Sequence, residues 1–148
     1  MPSVPPIQKY IEHFIVTGFS VRTQNCDEFN EKTAQLPRLW QKLYGSGLAG
    51  NDCVFGVYSD YESDANGFYT VTVGIQSNTE LTAVASVTIQ TGNYLVFQGK
   101  GQMPFTVVET WKRIWDYFKT ENKYQRNFNS DFEAYSGPDE VEIYIGIK

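Results

Sequence analysis

What most constrains this chain is that it repeats itself. Trp40-Gln41-Lys42-Leu43-Tyr44 has a counterpart in Trp111-Lys112-Arg113-Ile114-Trp115, with apolar and charged positions in the same order. Phe55-Gly56-Val57-Tyr58-Ser59 matches Phe132-Glu133-Ala134-Tyr135-Ser136, and Val71-Thr72-Val73-Gly74-Ile75 matches Ile143-Tyr144-Ile145-Gly146-Ile147. Each match alone is weak, but they are collinear and differ in spacing only within loops, which is how a duplicated unit reads. Two copies of one unit have to pack together, and the cleft where they meet is the natural place for a site.

Each copy reads as strand, helix, strand, strand. In the second, residues 92–101 (GNYLVFQGKG) form a strand. Thr106-Val107-Val108-Glu109 has the form of a capping box ahead of a helix, in which Trp111, Ile114, Trp115 and Phe118 recur at helical spacing and bury an aromatic stripe. Residues 131–136 and 140–148 are strands; in the last, Val141, Ile143, Ile145 and Ile147 alternate with Glu142, Tyr144 and Gly146, a period of two that sends one face into the core. In the first copy residues 13–23 are the leading strand, and Leu36, Leu39, Trp40 and Leu43 mark the helix, with Pro37 either opening it or kinking an earlier turn. Residues 54–61 and 67–76 are the closing strand pair, joined by the turn-rich ESDANG. Between the copies, residues 81–96 read as a hairpin turning at Thr91-Gly92-Asn93, its first arm adding an edge strand. Pro2, Pro5 and Pro6 suggest a frayed arm.

The expected fold class is therefore α+β: a duplicated strand-helix-strand-strand unit with antiparallel sheets and a central ligand groove between two pseudo-symmetric halves. A single domain, 1–148, holds pseudo-repeats at about 13–76 and 94–148 and is long enough to bury a core without disulfides or metal.

Composition removes several function classes. The net charge is −5 and the 12 basic residues are scattered, so no cationic stripe exists to meet a phosphate backbone, and direct nucleic-acid binding is not expected. There is no run of about 18 apolar residues and no apolar segment behind a basic start, which points to a cytoplasmic protein with no membrane contact. Cys26 and Cys53 fit no redox, zinc or haem spacing and are expected as buried, inert thiols. His13 is the sole histidine, and a structural place on the first strand suits it better than a triad or a zinc site. QGKGQ (98–102) lacks the spacing of a phosphate-cradling loop and reads as a strand end, and SDYESD (59–64) has no calcium-loop pattern and reads as a solvated loop. No catalytic residue, cofactor or metal is assigned.

The aromatic content is the unusual feature. Ten Tyr, 10 Phe and 3 Trp make up 16% of the chain, and the tyrosine hydroxyls each want a polar neighbour, so some line a wet or ligand-filled surface. In SDFEAYS (130–136), Glu133 lies between Phe132 and Tyr135, where a strand turns it towards whatever those rings cover. The first copy has Gly56 in the same place, so the architecture does not require a carboxylate there. Glu133 is either the polar group of the cleft or a solvated carboxylate on an exposed sheet face.

The stretch FEAYSGPDEVEIYIGIK after an aromatic helix, with FGVYSDYESDANGFYTVTVGI in the first copy, resembles the gyrase-inhibitory-protein-like, or effector-binding, domain of AraC- and MerR-type multidrug regulators. That domain also occurs alone, including on mobile integron cassettes, and the resemblance spans about residues 13–148. It implies a groove for lipophilic or amphipathic cations with a buried glutamate among aromatic rings. The glutamate maps onto Glu133, with Tyr144 and Trp111 or Trp115 as neighbours from the second copy and Tyr58, Tyr69 and Trp40 from the first. A separate regulatory protein is a further candidate partner, because the chain has no room for a DNA-reading helix-turn-helix. The alternatives are a hydrolase of reactive small molecules that uses the same glutamate as general base, and a protein–protein inhibitor with an acidic surface.

Overall fold

The computed structural model describes residues 6–28, 32–46, 53–62, 67–77, 85–102, 105–120, 123–137 and 139–148. Pro2, Pro5 and most of ESDANG lie outside the described residues. The elements run β1 (Ile7–Ile11), β2 (Phe14–Thr23), α1 (Asn25–Glu28), α2 (Leu36–Ser46), β3 (Val54–Ser59), β4 (Tyr69–Ser77), β5 (Ala85–Ile89), β6 (Gly92–Lys100), α3 (Phe105–Thr120), β7 (Arg126–Gly137) and β8 (Glu140–Ile147). Every strand pairing is antiparallel, in one eight-stranded sheet of order β1-β6-β8-β7-β3-β4-β2-β5. Exchanging β1 for β5, β6 for β2, β8 for β4 and β7 for β3 leaves this order unchanged when read from the other end. That is the duplicated unit in topological form, and its centre is the β3–β7 pairing.

The repeating unit begins one strand earlier than the periodicity indicates. β1 precedes β2 as β5 precedes β6, yet neither pair is hydrogen-bonded: β1 joins β6, and β5 joins β2 through Phe14↔Ile89 to Gly18↔Ala85. The hairpin expected over 81–96 is thus not formed, although its first arm does lie at a sheet edge. Each half lends a strand to the other. Only Glu12-His13 and Gln90-Thr91 link strands at opposite ends of the order, so the sheet bends until its ends approach, and His13 N–H donates to Thr91 Oγ1 at 3.0 Å across that junction. His13 itself is exposed in the link rather than within the leading strand.

The helices cover one sheet face, α2 on β2 and β4, α3 on β6 and β8. The period-two pattern of β8 places Val141, Ile143 and Ile145 beneath Ile114 of α3, all essentially inaccessible to water, and full burial of such a side chain contributes about 1.5–3 kcal/mol. Leu39 and Leu43 of α2 do the same over Val54, Tyr69, Val71 and Val73. On the opposite face Val16, Val57, Ile89, Tyr94 and Phe132 make a separate cluster. Close docking of α3 depends on Gly99, where a Cβ would stand 2.3 Å from Thr110 Oγ1.

Two local expectations are corrected. Thr106 lies inside α3, its N–H bonded to Gln102 O at 2.9 Å, so the capping box does not form; its methyl faces Gly99 and its hydroxyl faces Gly101. Cys26 and Cys53 are exposed thiols. Cys53 precedes β3, and its Sγ reaches Tyr135 O at 3.0 Å at the sheet's margin rather than in the core.

α2 is capped from outside itself. Glu28, at the end of α1, accepts the N–H groups of Gln35 and Leu36 at 3.0 Å each, and the Thr23 hydroxyl at 2.6 Å. A carboxylate at a helix N-terminus satisfies orphan donors and opposes the helix dipole. Glu28→Ala is expected to cost about 1–2 kcal/mol and to lower Tm by about 2–8 °C in a thermal melt. Among the described residues no helix is long and apolar enough to cross a membrane.

Candidate functional site

The floor between α2 and α3 is the central pair β3–β7, where Gly56 is the register partner of Glu133. Alternation along β7 turns Asp131, Glu133 and Tyr135 to the helix side, and along β3 it turns Val54, Gly56 and Tyr58 the same way. Glu133 is therefore carried to the seam by strand parity and roofed by residues of both helices. It is 3% exposed.

Three donors converge on its carboxylate. Trp111 Nε1–H of α3 donates to Oε2 at 2.6 Å, the Tyr58 hydroxyl of β3 to Oε2 at 2.9 Å, and the Tyr135 hydroxyl to Oε1 at 2.8 Å. The rings form two groups: Tyr58 stands 5.2 Å from Trp111 and 5.4 Å from Tyr69, and Trp40 meets Tyr135 edge-on at 5.3 Å. No Lys, Arg or His among the described residues forms an ion pair with Glu133.

Burial pushes the Glu133 pKa above the ordinary carboxylate value, and the hydrogen bonds from Trp111, Tyr135 and Tyr58 offset only part of that. The tyrosines answer in kind. Burial, then the charge on Glu133, holds Tyr58 and Tyr135 far above the usual phenol range, so both stay protonated donors. Such a carboxylate is hydrogen-bonded but lacks a countercharge among the described residues.

Of the residues singled out in the sequence, Trp111 and Tyr58 touch Glu133, and Trp40 lies over the same spot. Tyr69 is one ring further out, its hydroxyl turned to Asn25 Oδ1 at 2.6 Å. Trp115 sits beside Trp111 with centroids 6.1 Å apart. Tyr144 is not brought to this site: it pairs with Phe132, not Glu133, and stacks on that ring at 4.3 Å on the opposite face. The same parity removes Phe132 from the rings that Glu133 faces. Tyr135 is not among the ligand-binding residues expected from the sequence, although its place two residues after Glu133 on a strand is the signal for it.

A second buried carboxylate lies two residues earlier on the same face. Asp131 is fully buried and bonds Arg126 Nη2 at 2.6 Å, the Gly146 N–H at 2.9 Å and the Tyr61 hydroxyl. Burial alone would lower the Arg126 pKa, but the Asp131 charge, the neighbouring Tyr61 and the hydrogen bonds to both together outweigh it, and the net shift is upward. The guanidinium also covers the Phe128 ring at 4.4 Å. Asp131 thus has its cation within the protein, and Glu133 has none among the described residues. No three His, Cys, Asp or Glu side chains among those residues gather closely enough to hold a metal ion.

Comparison with known proteins supports the fold and gives the family. The YobU protein of Bacillus subtilis (strain 168), whose name assigns it to transcriptional regulation, is 32% identical over 148 residues, covering 88% of this chain and 90% of its own. The crystal structure of the integron cassette protein VCH_CASS2, from the mobile metagenome of Vibrio cholerae, superposes with a TM-score of 0.88 at 33% identity, covering 97% of this chain and 96% of that one. SAV2435, solved bound to tetraphenylphosphonium, shares the fold with a TM-score of 0.78 at 16% identity, over 98% of this chain and 94% of its own. The family described as Cass2, integron-associated effector binding protein, matches residues 9–147. With nearly the whole length matched, the chain belongs to the integron-associated effector binding protein family.

Proposed function

We propose that this protein binds small lipophilic cations in the seam between its halves, with Glu133 supplying the countercharge and Trp40, Tyr58, Trp111 and Tyr135 the walls. The observation that carries the reading is a carboxylate 3% exposed, held by three neutral donors, with no cation of the protein beside it among the described residues. Leaving a buried charge without a partner is costly, and a bound cation removes that cost while aromatic faces contribute about 0.5–2 kcal/mol each. That a protein of the same fold was solved with tetraphenylphosphonium supports the choice of ligand class.

The donor geometry refines it. Oε2 already accepts two hydrogen bonds and Oε1 one, so little acceptor capacity is left for an ammonium N–H. Recognition then rests on charge and ring contact, which a cation without donor hydrogens satisfies fully. The same donors weaken a hydrolytic reading: all point at Glu133, and tyrosines held far above the usual phenol range are poor acids for a leaving group.

Titration with tetraphenylphosphonium, followed by tryptophan quenching, tests the proposal, with neutral triphenylphosphine oxide as the control. Saturable binding of the cation in preference to the neutral compound is expected; equal or absent binding overturns it. The pH dependence has a definite sign. Because the folded-state pKa of Glu133 is raised, its ionisation opposes folding of the free protein, an effect absent below the ordinary carboxylate value and complete above the raised one. Cation affinity follows the ionised form, so it is expected to fall as pH drops through that raised pKa, while triphenylphosphine oxide binding stays level.

A further inference from the structure

The seam has room for one side chain. Gly56 and Glu133 are counterparts in the repeat and also register partners, so they meet where the two halves are related to each other. A Cβ on Gly56 would lie 3.0 Å from Glu133 Oε1 and 3.1 Å from Trp40 Cζ2, closer than such atoms ordinarily approach. Both neighbours have contacts that a retreat would disturb. Oε1 is fixed by the Tyr135 hydroxyl at 2.8 Å, and the Trp40 ring is held between Tyr44, stacked at 6.2 Å, and Tyr135, edge-on at 5.3 Å.

We propose that Gly56 is a positioning residue for the ligand site: its bare backbone lets the Glu133 carboxylate lie across the seam beneath Trp40 and keep its bonds to Trp111, Tyr58 and Tyr135. One copy of the repeat contributes the charge and the other contributes the space for it, which makes the site a receptor for a single positive charge. A strand of this kind otherwise disfavours glycine, which weakens a strand interior and packs no side chain. The proposal rests on the reading of Glu133 as the cation-binding group, but its test separates the two.

The test compares wild type, Gly56→Ala, Glu133→Gln and the double variant, after circular dichroism and Tm establish that each is folded. The first readout needs no ligand: the Trp111 Nε1–H proton resonance, shifted by its hydrogen bond to Glu133, is expected to move towards the position of a free indole in Gly56→Ala, with Trp115 as internal control. The second is binding of tetraphenylphosphonium, expected to weaken at least about fivefold in Gly56→Ala, with triphenylphosphine oxide changed by less than about twofold. In the Glu133→Gln background, adding Gly56→Ala is expected to change tetraphenylphosphonium affinity by less than about twofold, since the charge that Gly56 positions is gone. An unmoved indole resonance overturns the proposal, as does the same affinity loss in both backgrounds or for both probes. Wild-type protein that binds neither probe overturns the proposed function, and the indole resonance still decides on Gly56. Should Gly56→Ala not fold, the comparison is made in a Trp40→Phe background, where the smaller ring yields space and the crowding of Oε1 remains.

Discussion

Glu133→Gln is expected to weaken tetraphenylphosphonium binding by about ten- to a hundredfold, or about 1–3 kcal/mol, and to leave triphenylphosphine oxide binding within about twofold. The substitution keeps the side chain's size and removes only its charge. The amide oxygen can stand where Oε2 does and accept from Trp111 and Tyr58, while the amide nitrogen donates to a Tyr135 hydroxyl that turns its hydrogen away. The pocket keeps its shape, so a loss confined to the cation measures the charge. The desolvated site is little screened, and the difference between the variants is expected to persist at high salt. Because ionised Glu133 opposes folding, the free Gln variant is expected to melt no lower than wild type at neutral pH. Equal losses for both probes would reduce Glu133 to a wall of the pocket, and unchanged affinity for both would remove it from recognition.

Arg126→Met should have the opposite profile, a large loss of stability. Its guanidinium and the Asp131 carboxylate are 8% and 0% exposed, and removing the cation leaves Asp131, among the described residues, with the Gly146 N–H and the Tyr61 hydroxyl. Breaking a buried pair from one side costs about 3–5 kcal/mol, chiefly through the charge left behind. Denaturant unfolding checks this. The double variant Arg126→Met/Asp131→Leu should recover much of the loss, since an apolar pair carries no desolvation penalty; if the double variant is no more stable than the single, the effect comes from lost packing over Phe128 instead. The two carboxylates of β7, two residues apart on one face, are thus expected to respond oppositely to neutralising substitutions around them.

Much of this architecture could be read from residue order, because its determinants are local. The period-two run of β8 and the helical spacing of Trp111, Ile114 and Phe118 specify which face each element buries, and comparing Gly56 with Glu133 picked out a carboxylate that the repeat does not need. Local parity also contained what was missed. Tyr135 lies two residues from Glu133 and Tyr144 pairs with Phe132, so attention to which face each strand position takes separates the two tyrosines.

Other features depend on residues far apart in the chain, and no window of sequence holds them. The exchange of β1 and β5 between the halves arises because each finds its hydrogen-bonding partner in the other half's sheet, whereas adjacency in the chain favours a hairpin over residues 81–96. The cap on α2 comes from Glu28 of a preceding helix, Asp131 finds its cation across a bulge in its own strand, and Thr106 of α3 packs beside Gly99 of β6. Sequence alone determined the α+β unit, its duplication and the identity of the odd carboxylate, since periodicity and repetition are properties of the chain itself. Only the tertiary structure decided which three donors hold that carboxylate, that Gly56 is the residue facing it, and that no cation among the described residues comes with it, because desolvation and hydrogen bonding exist only once β3, β7 and α3 have met.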